Sequence, residues 1–159
     1  MTASLPLRLT AFLGLLLMGV SPALAADILV QRPAEFDAAV AKARPGDDIV
    51  LASGEWRDFQ MRVVGRDITV RGQEPGRVWL TGRSNLRIAG SGIVVRDLGF
   101  RNGYSPTSEV ISFRGASGEF ANNSRVTNVV IDSFNKPDPA DTDFWVVMYG
   151  KNNRFDHNH

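Results

Sequence analysis

Apolar and polar positions alternate in short runs along most of this chain, and one early stretch repeats at a helical interval instead. Ile28-Leu29-Val30 is a brief apolar run that predicts a first strand. Over Pro33–Ala43 the apolar residues Phe36, Ala39, Val40 and Ala43 recur at i, i+3, i+4 and i+7, the spacing of one face of a helix. Pro33 suits a first helical turn and Pro45-Gly46 ends the segment. After Gly46 the period changes from helical to strand-like. Runs of three to six residues at 48–51, 67–70, 78–80, 85–88, 93–95, 110–113, 126–131 and 144–148 predict strands, punctuated by Gly, Asn, Asp and Pro. In several runs the faces are distinct: Ile68 and Val70 oppose Thr69 and Arg71, and Leu86 and Ile88 follow the same rule.

Short strands alone leave a sandwich, a barrel and a solenoid open, and internal repetition separates them. Val95-Arg-Asp-Leu-Gly-Phe100, Val126-Thr-Asn-Val-Val-Ile131 and Phe155-Asp-His-Asn-His159 superimpose at offsets of 31 and 29 residues. Each opens on an apolar residue, continues with polar ones and carries Asp97, Asn128 or His157 in third place. A shorter repeat is expected between Asp67–Gly72 and Asn85–Gly90, at an offset of 18. Unequal spacing of a recurring strand suits a parallel β-helix, whose coils vary in loop length while the strand keeps its place in the stack. The crossover rule makes the winding right-handed, and the short N-terminal helix is expected to cap the first coil. The third repeat copy ends at His159, so the chain is expected to be C-terminally truncated, with an uncapped last coil that favours aggregation of residues 26–159.

The first 25 residues carry a different pattern. Arg8 precedes a charge-free run from Leu9 to Val20, Ser21-Pro22 breaks it, and Ala23-Leu24-Ala25 is a small-x-small cleavage pattern, so residues 1–25 are expected to be a secretory signal. Twelve residues are too few for a bilayer span, which takes roughly 20. The mature domain is then 26–159, exported to the periplasm or medium of a bacterium and free of the membrane after cleavage. Removing Arg8 leaves 17 basic against 17 acidic groups from the chain's 18 and 17, a balance that gives no argument for nucleic acid but permits a local basic groove. No cysteine is present, so neither disulfides nor thiolate chemistry is available.

The segment Asp143-Phe-Trp-Val-Val-Met-Tyr-Gly-Lys-Asn-Asn-Arg-Phe-Asp-His-Asn-His159, above all Tyr149–His157, resembles a signature of the chondroitinase B-like family, polysaccharide lyase family 6. Pro45–Leu51 and Gly92–Gly103 add weaker likeness. The resemblance implies a right-handed parallel β-helix and β-elimination on uronic-acid polysaccharides, alginate ahead of dermatan sulfate. Acidic polysaccharide is then the partner and Ca²⁺ the cofactor. It places the lysine base, the arginine and the calcium ligands on later coils, so no catalytic or metal residue is assigned in this chain and the chain alone is expected to be inactive. Other functions compatible with the fold are a pectate lyase, an inverting glycoside hydrolase with paired carboxylates, and a β-helix surface or binding protein without turnover.

Lys151 and Arg154 are the candidate substrate contacts, since cations beside a uronate chain meet its carboxylates. Asn152, Asn153 and His157 are expected at turns, where their side chains satisfy backbone groups. His157-x-His159 lacks a third metal ligand. Asp138, Asp141 and Asp143, beside Pro137 and Pro139, are expected in a solvated loop, without the glycine and terminal glutamate of a calcium loop. Among the tryptophans, Trp79 is expected to face outward as a sugar platform and Trp145 to lie in the core.

Overall fold

The computed structural model describes residues 24–159, so nearly all of the expected signal, at residues 1–23, lies outside the described residues. Strand β1 (Asp27–Val30) leads into helix α1 (Pro33–Lys42), and twelve more strands follow. They are β2 (Asp48–Leu51), β3 (Gly54–Arg57), β4 (Gln60–Arg66), β5 (Thr69–Gly72), β6 (Val78–Arg83), β7 (Asn85–Ser91) and β8 (Val94–Tyr104). The series closes with β9 (Glu109–Ser112), β10 (Ala121–Asn122), β11 (Arg125–Phe134), β12 (Phe144–Val147) and β13 (Arg154–Asp156). Every pairing between these strands is parallel. The fold is an all-β parallel β-helix with one short helix at its N-terminal end.

Three faces wrap the core. Sheet one stacks β1, β2, β5, the first part of β8, the first part of β11, and β13. A second face stacks β3, β6 and the later part of β8, continued by β11. Sheet two stacks β4, β7, β9 and β12, with β10 beside β7. The inward residues pile in columns. Ile49, Val70, Val95 and Val126 form one, all fully buried. Trp56, Leu80 and Phe100 form a second, with Ile131 above. Met61, Leu86 and Ile111 form the third, with Val146 above. Alternate side chains of a strand face opposite sides, so parallel stacking in register converts a period-two pattern into these columns.

The repeat at offsets 31 and 29 is the true register: Val95 pairs with Val126, and Val126 with Phe155. Its third-place residues are corners. Asp97, Asn128 and His157 all have left-handed backbones, φ +62°, +56° and +56°, bending the chain from one face to the next. A second corner column runs through Asp67, Gly92, Asn123 and Asn152, also at positive φ. Asn and Asp tolerate this region better than most side chains, and here they also bond up the stack. Asn128 Nδ2 donates to Asp97 Oδ1 at 2.9 Å, and Asn152 Nδ2 to Asn123 Oδ1 at 3.2 Å.

Helix α1 covers the open end of the first coil. Phe36 is buried and meets Phe59 edge-on, with ring centroids 5.2 Å apart. The helix ends one residue before the expected Ala43, which turns to extended backbone at ψ 137° ahead of Arg44-Pro45. The expected offset-18 repeat is overturned. Asp67–Gly72 enters sheet one whereas Asn85–Gly90 lies in sheet two, where Asn85 stacks on Gln60 and Gly90 on Gly65. The two segments share a local alternation but sit on different faces of the coil. Strands β3 and β4 were not among the sequence-predicted runs, although β4 carries Met61 and Val63 on its buried side.

Candidate functional site

Charge is distributed unequally over the three faces. On sheet one the outward ions neutralise one another. Arg71 Nε donates to Asp48 at 2.6 Å and its Nη2 to Asp27 at 2.8 Å, contacts that raise the guanidinium pKa, Asp48 foremost. Arg96 pairs with Asp97, Arg125 holds Asp156 through two hydrogen bonds of 2.8 and 3.0 Å, and Arg154 joins the same carboxylate at 3.0 Å. The hydrogen bonds from Arg125, helped by its charge and that of Arg154, hold the Asp156 carboxyl at about 2, below its ordinary 3.8. A depressed folded-state pKa contributes stability that is complete above the unfolded value and fades as pH falls towards 2. In the folded protein the Asp156 carboxyl, followed by NMR, should therefore titrate near pH 2, and R125A should return it towards 3.8. A midpoint unmoved by R125A would show that the pair does not set it.

On the second face, Arg101 reaches Glu55 at 3.1 Å and lies 4.5 Å over the Trp79 ring. Trp79 does face outward, but this guanidinium covers it and its indole N–H donates to the Gly76 carbonyl at 3.1 Å. Trp56 is core.

Sheet two differs. Its outward side carries Arg62, Arg66, Arg87 and Arg114, with Lys151 just beyond β12, against Glu109 and Glu119. Arg62 uses Glu119 at 2.7 Å, with both side chains about half exposed. Arg87 is half-buried, pairs in register with Arg62 and Ser112, and makes no ion pair with any described residue. Arg114 lies 4.2 Å over the Tyr149 ring, and its Nη2 reaches Glu109 Oε1 at 3.4 Å. Tyr149 donates its hydroxyl to the same oxygen at 3.0 Å and stacks on Phe120. Glu109 is 8% exposed, and its Oε2 and the buried Ser112 hydroxyl have no hydrogen-bond partner among the described residues.

Trp145 belongs to this face, which corrects the expectation that it is core. Strand alternation turns Phe144 and Val146 one way and Trp145 and Val147 the other, with Val146 over Ile111 and Val147 over Ser112. The indole is 48% exposed and donates to Asn135 Oδ1 at 3.1 Å. Its apolar neighbours suggested burial, but of these only Val146 packs against the core, and Phe144 is itself 52% exposed.

A profile of the chondroitinase B family matches residues 30–159. The chain belongs to the chondroitinase B family. Among solved structures, the PL6 family alginate lyase AlyGC is 52% identical over 84% of this chain, with a TM-score of 0.82. A mannuronic acid specific family 6 lyase from human gut microbiota is 28% identical over 83% of the chain, TM-score 0.74. The family 6 lyase Pedsa3628 from Pseudopedobacter saltans is 28% identical over 80%, TM-score 0.74. The chain spans 19%, 33% and 30% of those three proteins. No curated protein matches.

Within the family signature, the two expected contacts diverge. Lys151 bridges to Asn122 at the end of sheet two, whereas Arg154 lies past the Asn152 corner on sheet one, ion-paired with Asp156. Asn153 serves the coil: its amide donates to the Ala121 and Tyr149 carbonyls at 2.7 and 2.6 Å and its oxygen accepts from the Ser124 N–H at 2.9 Å. The Ca²⁺ implied by the family finds no fit, because among the described residues no three His, Asp or Glu converge on a metal position. Asp138 and Asp143 spend carboxylate oxygens on the N–H groups of Ala140 and Lys136 in their own loop. Sequence reasoning missed Arg62 and Arg87, yet a signal existed. Met61-Arg-Val63 and Leu86-Arg-Ile88 are the same apolar–Arg–apolar triplet on adjacent rungs.

Proposed function

We propose that this chain forms the first coils of an exported bacterial polysaccharide lyase that cleaves uronic-acid polymers, alginate foremost, by β-elimination. The observation that carries the reading is the chondroitinase B family match over residues 30–159, seconded by 52% identity to the alginate lyase AlyGC. In β-elimination the C5 proton leaves and the glycosidic oxygen at C4 departs, so a base and a group that stabilises the charged uronate are both required. The lysine base, the arginine and any calcium belong to coils other than those described, and no chemical step runs through this chain's own residues. Their part is to bind. Arg62 and Lys151, exposed on sheet two, attract the carboxylates of a polymer lying along that face. Arg154, tied to Asp156, serves a polymer only where it turns the Asn152 corner. Among the described residues no helix is long and apolar enough to cross a membrane, and export rests on the proposed signal at residues 1–25.

The test is an assay of the complete reading frame on polymannuronate, polyguluronate and dermatan sulfate, following the absorbance of the unsaturated uronate product. Activity on an alginate block, with none from residues 26–159 alone, is the expected result. Full activity of residues 26–159, or no activity of the complete protein on any uronate polymer, would overturn the proposal.

A further inference from the structure

We propose that Arg87 and Arg114, flanked by Trp145, form an auxiliary subsite on sheet two that binds carboxylates of the polymer away from the bond being cleaved. This rests on the reading of the protein as a lyase of acidic polysaccharide and deepens it. Three observations carry it. Arg87 is half-buried without an ionic partner, an expensive state for a cation unless an anion comes to it. A guanidinium has five N–H donors, and Arg114 uses one, on Glu109, while the Tyr149 ring and that carboxylate hold it flat. The buried Ser112 hydroxyl, in register with Arg87, has no partner among the described residues and is a free donor for a ligand carboxylate, whereas the unpartnered Glu109 Oε2 accepts only from a hydroxyl of the sugar.

Geometry makes the ligand a polymer rather than a single sugar. Arg62 and Arg87 occupy the same register on successive rungs, and Arg114 follows two residues past Ser112 on the next. Rungs are roughly 4.8 Å apart, so the cations ascend the helix axis in steps comparable to one sugar ring, each ring of a polyuronate bearing one carboxylate. Sheet one presents as many arginines, but each is already paired with aspartate, so the preference for sheet two comes from unspent charge. Glu109 and Tyr149 are positioning residues, holding Arg114 in the plane that a carboxylate meets side-on.

The experiment uses the complete reading frame in native gels cast with alginate, with polymannuronate blocks or with neutral dextran, alongside lyase kinetics on long polymer and on trimer. Wild type should be retarded by both anionic polymers and not by dextran, and the R87A/R114A variant should lose most of that retardation. Its KM on long polymer should rise roughly tenfold, with kcat and the trimer KM unchanged. E109Q should raise the polymer KM by a smaller factor, since Tyr149 still bonds to an amide oxygen while the charge that steadies Arg114 is gone. Should the alanine variant fold poorly by circular dichroism, R87Q/R114Q replaces it and keeps the side-chain bulk. Equal retardation of wild type and variant, or an equal rise in KM for polymer and trimer, overturns the subsite. Loss of retardation in a protein with no lyase activity overturns the enzymatic reading and leaves the subsite standing.

Discussion

Replacing Gly90 with alanine should leave little soluble, folded protein. Gly90 has φ +114°, a conformation open to glycine and costly for any L side chain, and it stacks directly on Gly65 of the preceding rung. A Cβ at this position would lie 1.9 Å from the Gly65 carbonyl oxygen. That oxygen is backbone within a paired strand, so relief requires moving one rung against another and breaking the register of β4 and β7. Losses above about 4–5 kcal/mol are exceptional for one substitution, and this one should reach that range against a total stability of roughly 5–15 kcal/mol. Gly118→Ala is the matched control. Its φ is +82°, but nothing lies within 4 Å of the added atom, so it should cost only the left-handed strain, about 1–2 kcal/mol. Soluble yield and urea unfolding of both variants in the complete protein decide the matter. If Gly90→Ala and Gly118→Ala prove equally stable, the rungs are not stacked as described.

Phe100→Ala should be the most damaging side-chain truncation in the core. Phe100 is fully buried between Leu80 and Ile131 in its column and meets Phe134 edge-on at 5.3 Å. Emptying that position removes apolar area and leaves a cavity between rungs held apart by their own backbone hydrogen bonds, so collapse is limited. The cost should be about 3–5 kcal/mol, read as a lower urea midpoint with an unchanged slope. Leu29→Ala, on the outward side of β1 and 52% exposed, should shift the midpoint by under about 0.5 kcal/mol. A Phe100 variant as mild as that one would place the aromatic outside the core.

The two substitutions probe different parts of the same device. Side chains of one rung pack on those of the next, which Phe100 tests, and backbones approach closely where glycines meet at the turns, which Gly90 tests. The charge pattern has the same origin: neighbouring rungs bring Arg71 to Asp48 and Arg125 to Asp156 across sheet one, and leave Arg87 beside Arg62 on sheet two.

Much of this architecture was legible one residue at a time. Alternation within β5 and β7 identified the buried side chains, because a strand turns successive residues to opposite faces whatever its partners. The spacing of Phe36, Ala39 and Val40 announced the helix, and the recurrence of Asp97, Asn128 and His157 in third place marked the true register; that these places are corners came from their positive φ in the folded coil. Tyr149–His157 carried the family. Other features depended on which rung lies over which. Coil length varies, so local likeness aligned Asp67 with Asn85 although the stack sets Asn85 on Gln60. Trp145 faces outward because the register sets Val146, not the indole, over the buried Ile111. The basic surface of sheet two is invisible in a chain of balanced charge. It arises only when residues some 20 to 30 positions apart become neighbours and some cations find carboxylates above or below them while others do not.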